Sequence, residues 1–298
     1  MKILLTGKDG QVGFELVRAL APLGEVVAVG RADCDLGDAA AVRELVRRIA
    51  PGVIVNPAAW TAVDRAEAER EAAFAVNAGA PCILGEEAAR LDALVVHYST
   101  DYVFDGSGQA PYKENDTPVP RSVYGSSKLD GERALAGATA RHLILRTSWV
   151  LGSHGGNFAK TMLRLAAERE RLQVVDDQFG APTSAALLAD LTAHLVRQYA
   201  REGGHVFPYG TYHVTAAGET SWYDYARFVL EAARAAGKPL RAGPESVMPV
   251  KTAAFPSAAK RPANSRLDTS LFRSTFGLRL PPWQEGTGSV LRQIFQTS

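Results

Sequence analysis

The amino terminus reads MKILLTGKDGQVG, residues 1–13, and this stretch decides the fold. A short apolar run leads into glycines at positions 7, 10 and 13, and a helix is predicted from Val12 to Leu20. In a dinucleotide-binding turn the first glycine permits the tight turn, the second admits a pyrophosphate and the third lets the helix pack on the strand. The helix N-terminus also offers free N–H groups to phosphates. We therefore predict cofactor binding by Gly7, Gly10, Gln11, Val12 and Gly13.

Beyond this loop, short apolar runs alternate with helical patterns through the first half of the chain. Strands are predicted at 26–29, 53–55, 94–96 and 143–145, and a helical stretch covers roughly Ala66 to Leu91 with an interruption at 79–81. Continuously apolar strands between amphipathic helices indicate a parallel sheet covered on both faces. The right-handed crossover rule makes a doubly wound sheet the economical arrangement. We expect an α/β, Rossmann-like fold.

The alternating pattern weakens after about residue 150. Helices are predicted at Phe158–Arg169, Ala185–Tyr199 and Trp222–Ala236, separated and followed by loops rich in proline and glycine at 237–249 and 255–262. We predict that residues 1–150 and about 182–215 form the dinucleotide-binding domain. A smaller, discontinuous α/β substrate domain is predicted for about 151–181 and 216–298.

Composition excludes several classes of protein. The 298 residues include 33 Lys+Arg and 32 Asp+Glu, which argues against a protein held mainly by nucleic-acid phosphates. The two cysteines, Cys34 and Cys82, make no disulfide framework or zinc motif, and the six histidines are scattered, so no metal site is expected within the protomer. The first apolar run is too short for a signal peptide, and no membrane span is predicted. We expect a cytoplasmic protein.

The residues after the second strand bear on the choice of dinucleotide. An acid at this position binds the adenosine ribose 2′-hydroxyl, but the strand here ends in Val29-Gly30-Arg31. An arginine can pair with a 2′-phosphate bidentately, which favours NADPH over NADH. Asp33 and Asp35 lie close by and leave NADH open, and Asp35 with Leu36 can instead border the adenine.

Two further elements indicate acid–base chemistry on a carbonyl. Tyr124 and Lys128 are four residues apart, and on a helix they share a face, where a cation lowers the phenol pKa from its usual value of about 10. Thr100 is predicted at the carboxyl end of the fourth strand, the edge where doubly wound sheets bind ligands. Its hydroxyl can orient a reacting carbonyl beside the tyrosine.

The glycine loop, Thr100 and the Tyr124-x-x-x-Lys128 motif resemble the extended short-chain dehydrogenase/reductase superfamily. More narrowly, the chain resembles the dTDP-4-dehydrorhamnose reductase family along nearly its whole length. The matching stretches are 7–13, 55–67 (VNPAAWTAVDRAE), 99–106 (STDYVFDG), 123–132 (VYGSSKLDGE), 145–150 (LRTSWV), 157–165 (NFAKTMLRL), 176–184 (DDQFGAPTS) and 261–268 (RPANSRLD).

The resemblance implies an enzyme that uses NAD(P)H to reduce the C4 keto group of dTDP-4-dehydro-β-L-rhamnose, the last step of dTDP-L-rhamnose synthesis. It implies that Tyr124 donates a proton, that Lys128 binds the nicotinamide ribose and lowers the tyrosine pKa, and that Thr100 hydrogen-bonds the reacting oxygen. Asp101 and Trp149 would contact the sugar, and Arg261 and Asn264 the diphosphate. Ala58, Ala59 and Asn77 would contribute to the cofactor site, with Asn77 alternatively positioning the tyrosine helix. A homodimer is also compatible with this assignment.

Other functions of the superfamily remain open at this point. A 4,6-dehydratase needs a base for elimination, typically a Glu directly after Thr-Asp, and this chain has Tyr102 there. No sequence feature excludes a nucleotide-sugar epimerase. Some relatives are non-catalytic regulatory subunits of methionine adenosyltransferase, and the intact set of Thr100, Tyr124 and Lys128 favours catalysis over that role.

Overall fold

Within residues 1–204 and 206–297, which the computed structural model describes, the strands form one six-stranded sheet and three short pairs. In chain order the strands are β1 (Lys2–Thr6), β2 (Glu25–Val29), β3 (Val53–Asn56), β4 (Leu94–Thr100), β5 (His142–Thr147), β6 (Val150–Leu151), β7 (Leu172–Val175), β8 (Phe179–Gly180), β9 (Thr183–Ser184), β10 (Gly210–His213), β11 (Thr220–Ser221) and β12 (Val247–Val250).

The helices alternate with these strands in the first half and cluster in the second. They are α1 (Gln11–Leu20), α2 (Ala39–Ile49), α3 (Val63–Ala68), α4 (Arg70–Phe74), α5 (Ala80–Leu91), α6 (Val123–Ala138), α7 (Phe158–Glu168), α8 (Ala185–Glu202), α9 (Trp222–Ala235), α10 (Ser270–Phe276) and α11 (Trp283–Thr297). A π-helical turn, Ala75–Gly79, lies between α4 and α5. None of the helices in the described ranges is long and apolar enough to cross a membrane.

The large sheet has the order β2-β1-β3-β4-β5-β10, and its strand pairs are all parallel. After β2 the chain crosses back over β1 to form β3, so the strand order reverses between β1 and β3. Ligands of doubly wound sheets bind at such a reversal, outside the carboxyl ends of the strands. The predicted α/β, Rossmann-like fold is confirmed.

Alternate residues of each central strand pack into different cores, as the two-residue period of a strand requires. Ile3 and Leu5 belong to the core beneath α1 and α8. Leu4 and Ile54 belong to the opposite core, beneath α2 and α5. Burial on both faces explains why these strands are continuously apolar, and it fixes the glycine loop above the sheet edge.

A separate apolar cluster lies in the second half of the chain. Its members come from α7, α9 and α11 and from the parallel pair of β7 and β12, with Tyr225 and Trp283 among the large buried side chains. The pair of β6 and β9 stands where the chain leaves the large sheet and returns to it. The division into two domains at about residues 151, 182 and 216 stays a prediction.

Several elements differ from the sequence prediction. Strand β10 was not predicted, because Gly210–His213 carries no apolar run, yet it pairs with β5 as the edge of the large sheet. Part of the loop predicted at 237–249 is wrong, since β12 includes Pro249. A proline is tolerated there because β12 pairs on one side only, with β7. The predicted stretch 66–91 is helical but divided into α3, α4, the π-helical turn and α5.

The contribution of the buried ion pair between Arg146 and Glu132 to stability is tested by removing the cation. Arg146 Nη2 lies 2.6 Å from Glu132 Oε2, and the two side chains are only 6% and 5% exposed. Arg146→Met leaves the carboxylate buried without its cation, and we expect a loss of about 3–5 kcal/mol in the free energy of unfolding, measured by urea denaturation. Arg164→Met is the matched control, because its pair with Glu168 is solvent-exposed and contributes about 0–1 kcal/mol. Equal effects of the two substitutions would contradict this account.

Candidate active site

The glycine loop brings α1 against the end of β1. Gly7 has a φ of +62°, a conformation that other residues rarely adopt. A Cβ at Gly13 would overlap the carbonyl oxygen of Gly7, so only glycine allows this approach. Gly10 begins α1 without a side-chain cap, and the first N–H groups of a helix have no partner within it. The loop therefore offers backbone donors and the positive end of the helix dipole to an anion.

A cleft of about 760 Å³ lies above this loop at the reversal of the sheet. It is lined by twelve of the residues predicted to bind the cofactor: Gly7, Gly10, Gln11, Val12, Gly13, Arg31, Asp35, Leu36, Ala58, Ala59, Tyr124 and Lys128. The glycine cradle, the helix N-terminus and the volume of the cleft fit a dinucleotide. The pyrophosphate would lie on the loop and the nicotinamide ribose beside Lys128.

The groups around Arg31 favour a 2′-phosphate at this end of the cleft. Arg31 is exposed at the rim, whereas the nearby carboxylate of Asp33 is already engaged. Asp33 Oδ2 accepts from Lys8 Nζ at 2.6 Å and from the Gly30 N–H at 2.8 Å. Asp33 is therefore poorly placed to receive a ribose hydroxyl, whereas Arg31 lines the cleft.

Asn77 does not line the cofactor cleft. It is 1% exposed and sits in the π-helical turn, where its amide exchanges hydrogen bonds with the backbone of Trp60 and donates to Ser127 Oγ at 3.0 Å. Ser127 belongs to α6, the helix that carries Tyr124 and Lys128. The structure thus places Asn77 where it positions the tyrosine helix and the loop after β3, behind the wall of the cleft.

A second cleft, of about 670 Å³, adjoins the first. Thr100, Asp101, Trp149 and Arg261, the residues predicted to meet the substrate, all line it. Tyr124 lines both clefts, as do Gln11, Thr61, Ser99, Thr147 and Val150. Tyr124 is therefore at the junction, where a group bound in one cleft can react with a group bound in the other.

The electrostatics of Tyr124 are dominated by burial. Burial raises the pKa of the phenol above its usual value, and a hydrogen bond with Thr100 lowers it by a smaller amount. The lowering expected from Lys128 is not seen in the protein alone, because the Lys128 ammonium is directed elsewhere. Lys128 Nζ donates to the Tyr98 carbonyl at 2.6 Å and lies 3.1 Å from His97 Nε2. Tyr124 is consequently protonated at neutral pH, the state a proton donor requires.

Lys128 is itself unusual among lysines. It is 1% exposed, and burial lowers its pKa to about 8, although the carboxylate of Glu132 acts in the opposite direction. Near neutral pH the side chain is charged, but only a modest rise in pH removes that charge. The pKa of Lys128, and with it the charge of the side chain, therefore depends closely on its buried neighbours.

The substrate cleft contains buried polar atoms that have no protein partner among the described residues. These atoms are Asp101 Oδ2, Thr147 Oγ1 and Ser148 Oγ. The other oxygen of Asp101 accepts from Thr100 Oγ1 at 3.1 Å, and burial raises the pKa of the Asp101 carboxyl to about 6. Buried polar groups are normally satisfied, so these three atoms, all on residues that line the cleft, are compatible with a polar ligand there.

Trp149 is held in a strained backbone conformation with a φ of +48°. Its indole stacks on that of Trp222 with a centroid distance of 3.6 Å and an interplanar angle of 15°. A Cβ at Gly180 would come within 2.6 Å of the Trp149 ring, so the glycine makes room for it. A bulky residue in the left-handed region is a marker of functional constraint, and both indoles face the substrate cleft.

Arg261 lies at the mouth of the substrate cleft, whereas Asn264 does not line it. Arg261 pairs with Asp64 Oδ2 at 2.6 Å and donates to the Tyr102 hydroxyl at 3.3 Å. Asn264 is buried and donates to the carbonyls of Gly108 and Ala110, so it supports the loop after β4. Arg261 keeps a position from which it can reach an anion.

Several residues of the site were not identified from sequence. Trp222, Thr147 and Ser148 line the substrate cleft. His97, on β4, contacts the ammonium of Lys128 through Nε2. Gln11 also does more than contribute its N–H, since its Oε1 accepts from the Gly152 N–H and from Asn157 Nδ2. The only available signal was position, because 147 and 148 follow a predicted strand as Thr100 does. No cluster able to hold a metal ion occurs in the part of the chain that is described.

Comparison with known proteins extends over the full chain. A family model described as RmlD substrate binding domain matches residues 1–295. The dTDP-4-dehydrorhamnose reductase of Escherichia coli (strain K12) is 51% identical over 302 residues, covering 100% of this chain and 99% of the relative. The structure of a dTDP-4-dehydrorhamnose reductase from Clostridium acetobutylicum ATCC 824 has a TM-score of 0.89 at 35% identity and covers 98% of this chain and 99% of its own. That from Bacillus anthracis str. Ames, in complex with NADP, has a TM-score of 0.87 at 34% identity and covers 100% and 99%.

The close approach at Gly13 predicts a defect in cofactor binding. In Gly13→Ala the added Cβ meets the Gly7 carbonyl, so the loop must move away from α1. We expect NADPH to bind at least tenfold more weakly, about 1.4 kcal/mol, in a calorimetric titration. Gly137→Ala is the control, because nothing lies within 4 Å of the added atom. Unchanged affinity in Gly13→Ala would show that the loop does not carry the pyrophosphate.

Proposed function

The chain belongs to the RmlD substrate binding domain family, that of the dTDP-4-dehydrorhamnose reductases, and we propose how its own residues perform this reduction. The reaction converts dTDP-4-dehydro-β-L-rhamnose to dTDP-L-rhamnose with NADPH. The observation that carries the proposal is that Tyr124 lines both clefts, whereas Thr100 lines the substrate cleft and Lys128 the cofactor cleft.

Tyr124 is the proton donor of the reaction. Bound NADPH supplies the hydride that adds to C4 of the sugar. The electron pair of the carbonyl moves onto its oxygen, and that oxygen takes the phenolic proton of Tyr124. Thr100 donates a hydrogen bond to the same oxygen and so stabilises the charge that develops on it. Because burial raises the pKa of Tyr124, the proton is present at neutral pH before the reaction begins.

Lys128 acts with Tyr124 from the cofactor cleft, which both side chains line. Its ammonium binds the nicotinamide ribose and stabilises the tyrosinate that remains after proton transfer. The low dielectric around the buried Lys128 side chain strengthens this attraction. The pair therefore separates two tasks, with Tyr124 holding the proton before transfer and Lys128 compensating the charge after it.

The sugar ring is held by the unsatisfied polar atoms of the substrate cleft. Asp101 Oδ2 accepts from a sugar hydroxyl, and Thr147 and Ser148 provide hydroxyls within the same cleft. Trp149 presents an apolar face to the ring, and Arg261 binds the diphosphate at the mouth. Together these contacts place C4 beside the tyrosine.

The residue after Thr100-Asp101 also bears on the reaction class. Tyr102 is partly buried, and its hydroxyl accepts from Arg261. Burial raises the pKa of the Tyr102 phenol further, so it does not replace the carboxylate base of a dehydratase. Reduction needs no such base. Formation of a homodimer and a cytoplasmic location stay predictions from the sequence.

The proposed function is tested by mixing purified protein, NADPH and enzymatically generated dTDP-4-dehydro-β-L-rhamnose. We expect consumption of NADPH in equal amount to the dTDP-L-rhamnose formed, followed by absorbance and chromatography. Absence of consumption with a folded, NADPH-binding protein would refute the reductase assignment.

Loss of the proton donor should affect turnover and leave cofactor binding intact. For Tyr124→Phe we expect kcat to fall about 10²–10⁴-fold, the usual contribution of a general acid, with an unchanged Kd for NADPH. Tyr223→Phe is the control, since that ring lies on α9 beside Arg227. A near-wild-type kcat in Tyr124→Phe would contradict its role.

Cofactor choice depends on Arg31 in this account. Arg31→Ala removes the donors for the 2′-phosphate, so we expect NADPH to bind about tenfold more weakly while NADH changes by less than about twofold. Arg48→Ala, which removes an exposed arginine of α2, serves as the control. An equal loss for both cofactors would show that Arg31 does not contact the 2′-phosphate.

A further inference from the structure

A buried polar array crosses the sheet behind Lys128. Thr6 Oγ1 donates to Asn56 Oδ1 at 2.5 Å, and Asn56 Nδ2 lies 3.0 Å from His97 Nδ1. His97 Nε2 lies in turn 3.1 Å from Lys128 Nζ. The four side chains come from β1, β3, β4 and α6, and none is more than 1% exposed. Three of them have no part in the proposed reaction.

The protonation of His97 constrains this array. Burial, reinforced by the charge of Lys128, holds the pKa of His97 well below its usual value, so the imidazole is neutral. A neutral imidazole has one N–H donor and one acceptor nitrogen. His97 therefore donates toward Asn56 and accepts from Lys128, or it accepts from Asn56 and donates toward Lys128.

Each choice corresponds to a different charge on Lys128. With Asn56 Nδ2 directed at His97, Nδ1 accepts and Nε2 carries the hydrogen, so Lys128 must accept as a neutral amine. A charged ammonium has no acceptor, so Nε2 must then accept and Nδ1 must carry the hydrogen. This second arrangement requires half a rotation of the Asn56 amide, which presents Oδ1 to His97. Thr6 is compatible with both, because its hydroxyl can donate or accept.

We propose that His97, with Asn56 and Thr6, is a positioning device that couples the charge of Lys128 to the tautomer of the imidazole. The Nδ1–H tautomer holds the ammonium, and the Nε2–H tautomer holds the neutral amine. The array thus keeps Lys128 in place in both states, and it gives the charged form that the proposed function requires an acceptor at His97 Nε2. This inference rests on the proposed role of Lys128.

The other ionisable groups around Lys128 are accounted for. Glu132, one turn further along α6, is the carboxylate that acts on it, and Glu132 is itself held by Arg146 and Ser99. Tyr124 lies one turn earlier on the same helix and is protonated. The phenol of Tyr98 contacts Thr192 and is not directed toward Lys128. His97 is therefore the neighbour whose hydrogen must move when Lys128 titrates.

The direct test is nitrogen-15 NMR of the imidazole groups in the wild-type protein. The His97 signals are assigned by their loss in His97→Gln. We expect the Nδ1–H tautomer below pH 8 and the Nε2–H tautomer above it, with a midpoint near the pKa of Lys128 of about 8 and no charged imidazole at any point. Lys128→Met should abolish this pH dependence. A single tautomer throughout the titration, or a charged His97, would overturn the proposal.

Kinetics provide an independent readout. kcat/KM for NADPH reports the free enzyme, and it should fall as pH rises and Lys128 loses its proton. His97→Leu removes the acceptor for the ammonium, so this fall should shift about one unit toward lower pH. His97→Gln retains an acceptor, so its pH profile should lie close to that of the wild type. His142→Gln, at the other end of the sheet, should leave the profile unchanged. A His97→Leu profile that overlays the wild type would contradict the coupling.

The two readouts separate this proposal from the proposed function. A wild-type protein that lacks reductase activity but shows the tautomer change would refute the reductase assignment and keep the coupling. An active enzyme in which His97 keeps one tautomer would support the reductase assignment and refute the coupling. If His97→Leu does not fold, the wild-type NMR titration alone decides.

Discussion

The close approach of α1 to β1 is the constraint on which the site depends. Gly13 lacks a Cβ, and only for this reason can the helix begin against the carbonyl of Gly7. The approach aims the helix N-terminus at the reversal between β1 and β3, and a dinucleotide bound there extends along the carboxyl edge of the sheet. Tyr124, on α6, lines the far end of that path, and Thr100, at the end of β4, lines the adjoining cleft. The position of the glycine loop at this edge therefore depends on the absence of a Cβ at Gly13.

Burial shifts the pKa values of the ionisable side chains in and next to the two clefts. It raises the pKa of Tyr124 and of Asp101, and it lowers the pKa of Lys128 and of His97, because each charged form is disfavoured away from water. The consequence is a tyrosine, Tyr124, that retains its proton and a lysine, Lys128, that titrates close to neutrality. Such perturbed groups, gathered in one pair of adjoining clefts, are typical of active sites.

Much of this could be predicted from the sequence, for identifiable reasons. The glycine loop, the apolar strands and the Tyr124–Lys128 spacing are local patterns, and local patterns fix the elements on which they lie. The partners of Lys128 could not be predicted, since His97 and Asn56 become neighbours only through the register of β3 and β4. Strand β10 and the Trp149–Trp222 stack likewise depend on contacts between distant segments. The spacing predicted that Lys128 lowers the pKa of Tyr124, but in the protein alone Lys128 is directed toward Tyr98 and His97, and burial raises the pKa of Tyr124 instead.

The central claim is that Tyr124 and Thr100 meet the reacting oxygen at the junction of the two clefts. A crystal structure of the protein with NADP⁺ and dTDP-L-rhamnose measures this directly. The account predicts the sugar O4 within hydrogen-bonding distance, about 2.6–3.2 Å, of both the Tyr124 hydroxyl and Thr100 Oγ1. An O4 held by other side chains, with Tyr124 out of reach, would contradict it.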